Sequence, residues 1–222
     1  MKRNVRLEDI SDGRLYGEND MVKADCRGCE GCSQCCRGMG SSIILDPYDI
    51  SRLERGAGIG MQELLAKGAV ELNVVDGVIL PNLAMTGAEE KCAFLDDKGR
   101  CSIHASRPGI CRLFPLGRYY ENGDFKYFLQ VGECSAPHSK VKVNKWIDTP
   151  LVQSYHRFIL QWHDILNNVE NIVQESLFGT EEGKSKELNM LLLQKFYFTP
   201  YVNEDFYKEF ETRYQEFVKI IS

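Results

Sequence analysis

Apolar residues recur at helical spacing along the last third of the chain. Leu151, Tyr155, Phe158, Ile159, Trp162, Ile165, Leu166 and Val169 follow one another at intervals of mostly three and four, which lays one apolar stripe along a long helix. Asp148 or Thr149 before Pro150 supplies its start signal. Leu188 to Phe198 is predicted as a second helix, stopped before Pro200. Asn203 is predicted to cap a last helix with Phe206, Phe210, Tyr214, Phe217 and Ile221 on one face. Stripes of this kind are most simply a core. His156 and His163 lie seven apart on the first of these helices and share roughly one face, as a helix flank or a metal pair.

The first part of the chain changes period more often. Asp46-Pro47 starts a short helix with Ile50 and Leu53 inward and Gly56 as its stop. Met61 to Lys67 is a second short helix. Within Val70 to Leu80 the run ELNVVDGVIL sets two apolar stretches around Asp76-Gly77, a hairpin signal. Cys92 to His104 is predicted as another hairpin, turning at Asp97 to Gly99, and Leu116 to Gln130 as a third, turning at Asn122-Gly123. Between them, Ser106 and Pro108 announce one helical turn carrying Cys111. The fold expected is α+β: a small cysteine-rich metal-binding domain with short β-hairpins and helices over residues 1–140, followed by a helical C-terminal region, 141–222, packed on it.

Composition narrows the classes. The 222 residues are 43% hydrophobic and 27% charged, ordinary values for a globular protein. A net charge of −5 argues against nucleic acid as a partner, because phosphate binding runs on an excess of Lys and Arg. No apolar run approaches the roughly 18 residues that span a membrane. The opening stretch MKRNVRLEDISDG has no apolar segment of a secretory signal. The expectation is a cytoplasmic protein with no membrane partner and an unidentified protein partner. Cytoplasmic thiols are kept reduced, so clustered cysteines there point to metal or redox chemistry before disulfides.

The chain has nine cysteines, all between Cys26 and Cys134, and five of them fall within Asp25 to Met39, DCRGCEGCSQCCRGM. Cys26, Cys29, Cys32 and Cys35 are spaced three apart, and each C-x-x-C unit lets two sulfurs approach one metal. Cys36 follows directly. In an extended segment Cys35 and Cys36 point opposite ways and serve two sites, or Cys36 locks the segment onto the downstream cysteines. Those are Cys92, Cys101, Cys111 and Cys134. Nine thiols suffice for two four-sulfur sites, or for one site plus structural cysteines. Arg107 and Arg112 bracket Cys111 and are placed to offset thiolate charge.

Two blocks carry a family resemblance: CEGCSQCC from Cys29 to Cys36, and CAFLD at Cys92 with CSIH at Cys101 and RPGICRLFP from Arg107. The chain resembles the YkgJ-like cysteine-cluster proteins, the CxxCxxCC zinc- or iron-chelating family, over about Cys26 to Cys134. The resemblance implies Cys29, Cys32, Cys35, Cys36, Cys92, Cys101, Cys111 and Cys134 as metal ligands. Cys26 is an additional cysteine that shifts the ligand frame if it also binds. His104 stands where the family usually has an aromatic residue. The all-sulfur set and the C-x-x-C-x-x-C spacing lean toward an iron–sulfur cluster, expected as 4Fe–4S, in a redox or structural role. Zinc in a structural or interaction module is the alternative. The domain is also similar to the cysteine-bearing region of flagellin lysine N-methylases, which implies a protein methyltransferase. Its cofactor loop would have to be Gly56 to Gly60, the only glycine-rich stretch, and that follows a helix instead of a strand. Catalytic residues are not apparent.

Overall fold

The structure, a computed structural model, describes residues 6–26, 32–134, 139–177 and 182–221. Cys29, one of the expected ligands, lies outside them. The architecture is α+β. A helical turn, α1 (Leu7–Ile10), precedes β1 (Met21–Asp25), which pairs antiparallel with the distant β8 (Ser139–Lys142). Between them run α2 (Pro47–Ala57), α3 (Met61–Ala66), the hairpin β2 (Val70–Val75) and β3 (Val78–Leu83), the short pair β4 (Met85–Thr86) and β5 (Lys91–Cys92), α4 (Gly109–Leu113), and the hairpin β6 (Leu116–Glu121) and β7 (Asp124–Leu129). After β8 come α5 (Val143–Ile147), α6 (Val152–Leu177), α7 (Glu182–Leu193) and α8 (Phe206–Ile221).

Local chemistry accounts for most boundaries. Asp46 accepts from the Asp49 amide at 2.8 Å while the Asp49 side chain accepts from the Asp46 amide at 3.2 Å, a reciprocal cap that starts α2 at Pro47. The helix runs through Gly56 and ends at Gly58 in the left-handed region (φ 69°), so the stop lies two residues beyond the one expected. Both dipeptide turns adopt positive φ at each central residue, 52° and 84° at Asp76-Gly77 and 54° and 76° at Asn122-Gly123, as two-residue hairpins require.

Cys92 to His104 is not a regular hairpin. Asp96 accepts from the Lys98 and Arg100 amides and makes the expected turn, but its flanks meet only at the single bridge Leu95–Cys101, and Cys92 pairs backward with Met85. The long helix starts at Val152. Asp148 (φ 48°) and Leu151 (φ 54°) are left-handed, so Leu151 is turned out of the stripe and is 67% exposed. Asp205, not Asn203, caps α8, accepting from the Lys208 amide at 3.2 Å. The predicted second helix passes from α7 into a π-helical segment at Gln194–Phe198 before Pro200.

One core runs through both parts of the chain. Tyr48 of α2 packs against Tyr155 and Phe158 of α6 and Phe206 and Tyr207 of α8, with ring centroids 4.9–6.1 Å apart. Asn189 of α7 clamps the tip of the β2–β3 hairpin, accepting from the Ile79 amide at 2.7 Å and donating to the Gly77 carbonyl at 3.1 Å. Tyr197 Oη donates to the Leu45 carbonyl at 2.9 Å. The long helices therefore brace the segments that carry the cysteines. No helix among the described residues is long and apolar enough to cross a membrane.

Candidate metal centre

Backbone pairing brings the cysteines together from four stretches. Cys35 and Cys36 occupy a single 3-10 turn, Gln34–Cys36. Just after it, Arg37 bridges Lys91 and the Gly38 amide donates to the Glu90 carbonyl at 2.9 Å. This lashes the turn beside β5 and hence beside Cys92. The Asp96 turn folds Cys101 back toward the same place: the Ser102 amide donates to the Phe94 carbonyl at 2.9 Å. Cys111 arrives on α4. That helix is held by Asp49, whose Oδ1 accepts from the buried Gly109 amide at 2.6 Å. Cys32, Cys35, Cys36, Cys92, Cys101 and Cys111 all line one cavity.

The thiols respond to one another electrostatically. Cys35 is pushed far up, first by a hydrogen bond with Cys36 and then by burial and the Cys36 charge. Cys92, Cys101 and Cys111 are each raised, chiefly by burial and further by the neighbouring sulfurs, Cys35 acting on all three. Opposing groups are already in place. The Phe94 amide donates to the Cys92 sulfur and the Ile103 amide to the Cys101 sulfur, each two residues on, and both favour thiolate. The Arg107 guanidinium acts in the same direction on Cys35 and Cys101. Buried sulfurs with aimed amide donors and a nearby cation suit thiolate ligation, and a bound cation would remove the mutual repulsion. The donor set fits a metal of the zinc or iron type. As placed, no three His, Cys, Asp or Glu side chains among the described residues close into a metal-holding set.

The other expected site residues divide. Cys26, at the end of β1, is buried, and Cys134 packs against the core beyond β7; neither lines the cavity. The notion that Cys35 and Cys36 point to opposite sides rested on an extended segment. The 3-10 turn instead sets their sulfurs in hydrogen-bond contact. Arg112 does not serve the sulfurs as a donor. It is buried and donates to Thr149 Oγ1 and, at 3.2 Å, to the Arg107 carbonyl, tying α4 to the start of α6. His104 is exposed at the cavity rim. His156 and His163 form no metal pair. His156 sits between Glu18 (3.1 Å) and Asp124 (2.7 Å) and stacks on Phe125, while His163 stacks on Tyr120 at 3.8 Å. Asp49 and Arg118 escaped the sequence reading. Asp49 lies inside the short helix started by Asp46-Pro47, and Arg118 inside the hairpin over Leu116 to Gln130; nothing local marks either.

Residues 28–135 match the family described as "CxxCxxCC: Putative zinc- or iron-chelating domain". The matched stretch is described as a chelating domain. It spans just under half of the chain and takes in the whole four-thiol convergence, the Asp49–Gly109 tether and Arg107. No curated protein and no solved structure gives a match. The family therefore carries metal chelation to this domain, with zinc and iron both inside its description.

Proposed function

We propose that the protein holds an iron–sulfur cluster through the thiolates of Cys35, Cys92, Cys101 and Cys111, in a redox or structural role. The observation that supports this reading is the convergence of four thiols from four stretches on one cavity, each pushed up by its surroundings, with amide or guanidinium groups that favour thiolate at Cys35, Cys92 and Cys101. The set is all sulfur, with His104 exposed at the rim and His163 stacked on Tyr120, and cysteine thiolates are the usual holders of such clusters. Cys32 and Cys36 line the same cavity as further ligands or as replacements during assembly. When bound, the cluster would supply one-electron chemistry or a structural staple. The chain's part is to exclude water with the core around Leu95 and Ile103 and to balance thiolate charge through Arg107.

Four thiols serve zinc equally well, so one experiment separates the two. The protein is purified without oxygen and its iron, zinc and acid-labile sulfide are counted beside a visible absorption spectrum. Iron with matching sulfide and a broad visible charge-transfer band is expected. Stoichiometric zinc in a colourless, sulfide-free protein would replace the reading with a zinc-stapled interaction module. Methyl transfer has no comparable support, because Gly56 to Gly60 closes α2 and leads into α3 instead of forming a strand-to-helix cofactor loop.

A further inference from the structure

The cavity that gathers the thiols is far larger than a metal centre needs. At about 940 Å³ it lies near the top of the roughly 300–1,000 Å³ range of small-molecule sites. The cysteines supply only part of its lining. Much of the rest is apolar: Ile43, Leu83 and Met85 from one set of segments, Ile159, Trp162 and Leu166 from α6. Such a lining offers a hydrophobic body a place to lie and does nothing for a cation.

Into this lining comes Arg118 of β6. It lies deep in the fold yet keeps part of its surface, as a group facing an internal cavity does. The guanidinium is flanked by the rings of Phe125 and Tyr155 at 5.6 and 5.7 Å. Its Nη2 donates to Tyr155 Oη at 2.8 Å and the Tyr120 and Tyr127 hydroxyls also hydrogen-bond with it, while its buried Nε has no partner. Ser42 Oγ, also on the cavity wall, is likewise buried and unpartnered. These two atoms are closed over, so the accessible part of the Arg118 guanidinium is what brings positive charge to this largely apolar lining. The acid nearest in effect is Asp46, which burial and the neighbouring Asp49 hold toward its neutral form, so it offsets Arg118 less than an ordinary carboxylate would. A carboxylate matches a guanidinium fork better than any neutral acceptor does.

We propose that this cavity binds a small organic acid, its carboxylate held by Arg118 and its apolar body packed among Ile43, Leu83, Ile159 and Trp162. The inference is independent of which metal the thiols hold. The test uses the full chain as purified with its metal, octanoate as the probe and octanol as its match without the carboxylate, both followed by titration calorimetry. Octanoate is expected to bind saturably and at least tenfold more tightly than octanol. Arg118→Met is expected to weaken octanoate by roughly ten- to a hundredfold, the range of a charge-assisted hydrogen bond, and to leave octanol unchanged. No octanoate binding, equal binding of both probes, or octanoate binding indifferent to Arg118→Met would each overturn the proposal. Should Arg118→Met fail to fold, the comparison of the two probes on the unaltered chain decides alone.

Discussion

Asp49 joins two helices that lie 60 residues apart in sequence, accepting from the Asp46 amide within its own cap and from the Gly109 amide of the helix carrying Cys111. Asp49→Ala would leave two amides without an acceptor, one of them buried, at about 1–3 kcal/mol for a buried donor. A lowered melting temperature and a weaker hold on the metal are expected together, whereas Asp49→Asn keeps an acceptor and loses less. Thermal melts of both variants check this; equal melting temperatures for Ala and Asn would contradict it. Gly109 admits no side chain for a related reason, since a Cβ there would stand 2.8 Å from Tyr155 Oη and 3.4 Å from Asp49 Oδ1. Gly109→Ala is expected to destabilise by about 1–3 kcal/mol, read from denaturant midpoints. The sequence exposed Asp46 as a cap because capping is local. It did not expose the reach of Asp49 to Gly109, nor the turn of Arg112 away from sulfur toward Thr149, because both depend on contacts between distant segments.

At the scale of elements, Arg213 of α8 closes the end of the π-helical segment. It donates to the Lys195, Thr199 and Pro200 carbonyls at 2.7–2.8 Å, pairs with Glu209 and lies over the Tyr201 ring at 3.9 Å. Arg213→Ala strips those carbonyls and leaves Glu209 unpaired; a loss of roughly 3–5 kcal/mol is expected in equilibrium unfolding. Burial alone would raise Glu209, but the Asn203 amide and Arg213 outweigh it and hold the carboxyl below its usual range. A depressed acid stabilises above its unfolded pKa, near 4.3, and loses that contribution as pH falls through the folded value. Glu209→Gln should therefore flatten the acid side of the stability profile and leave its slope near neutrality unchanged. A profile that keeps its full acid slope would remove Glu209 from the account. Elements set by local chemistry were legible: the Asp-Gly and Asn-Gly hairpins, the Asp-Pro helix start, the apolar stripe of α6. Those set by tertiary context were not. Leu151 carries helical periodicity but takes a left-handed φ, and Cys92 finds its strand partner in Met85 instead of across its own turn.

The whole molecule sets a small chelating domain against long helices that share its core. The cysteine spacing showed that thiols gather, and the family match over residues 28–135 carries chelation to that stretch. Six of the named cysteines line one cavity, and how they reach it was not legible, because that depends on the Arg37–Lys91 bridge, the Asp96 turn and the Asp49 tether acting together. Metal held by folded ligands contributes to folding free energy. Chelation is thus expected to lower the melting temperature of the intact protein and to expose the 32–36 turn to proteolysis before α6. The central claim, that Cys35, Cys92, Cys101 and Cys111 hold one metal centre, is tested most directly by metal content per chain in four single Cys→Ser variants purified without oxygen, with Cys26→Ser beside them. The account predicts that each of the four loses most of its metal while Cys26→Ser retains it. Full metal content in any of the four would contradict the shared centre.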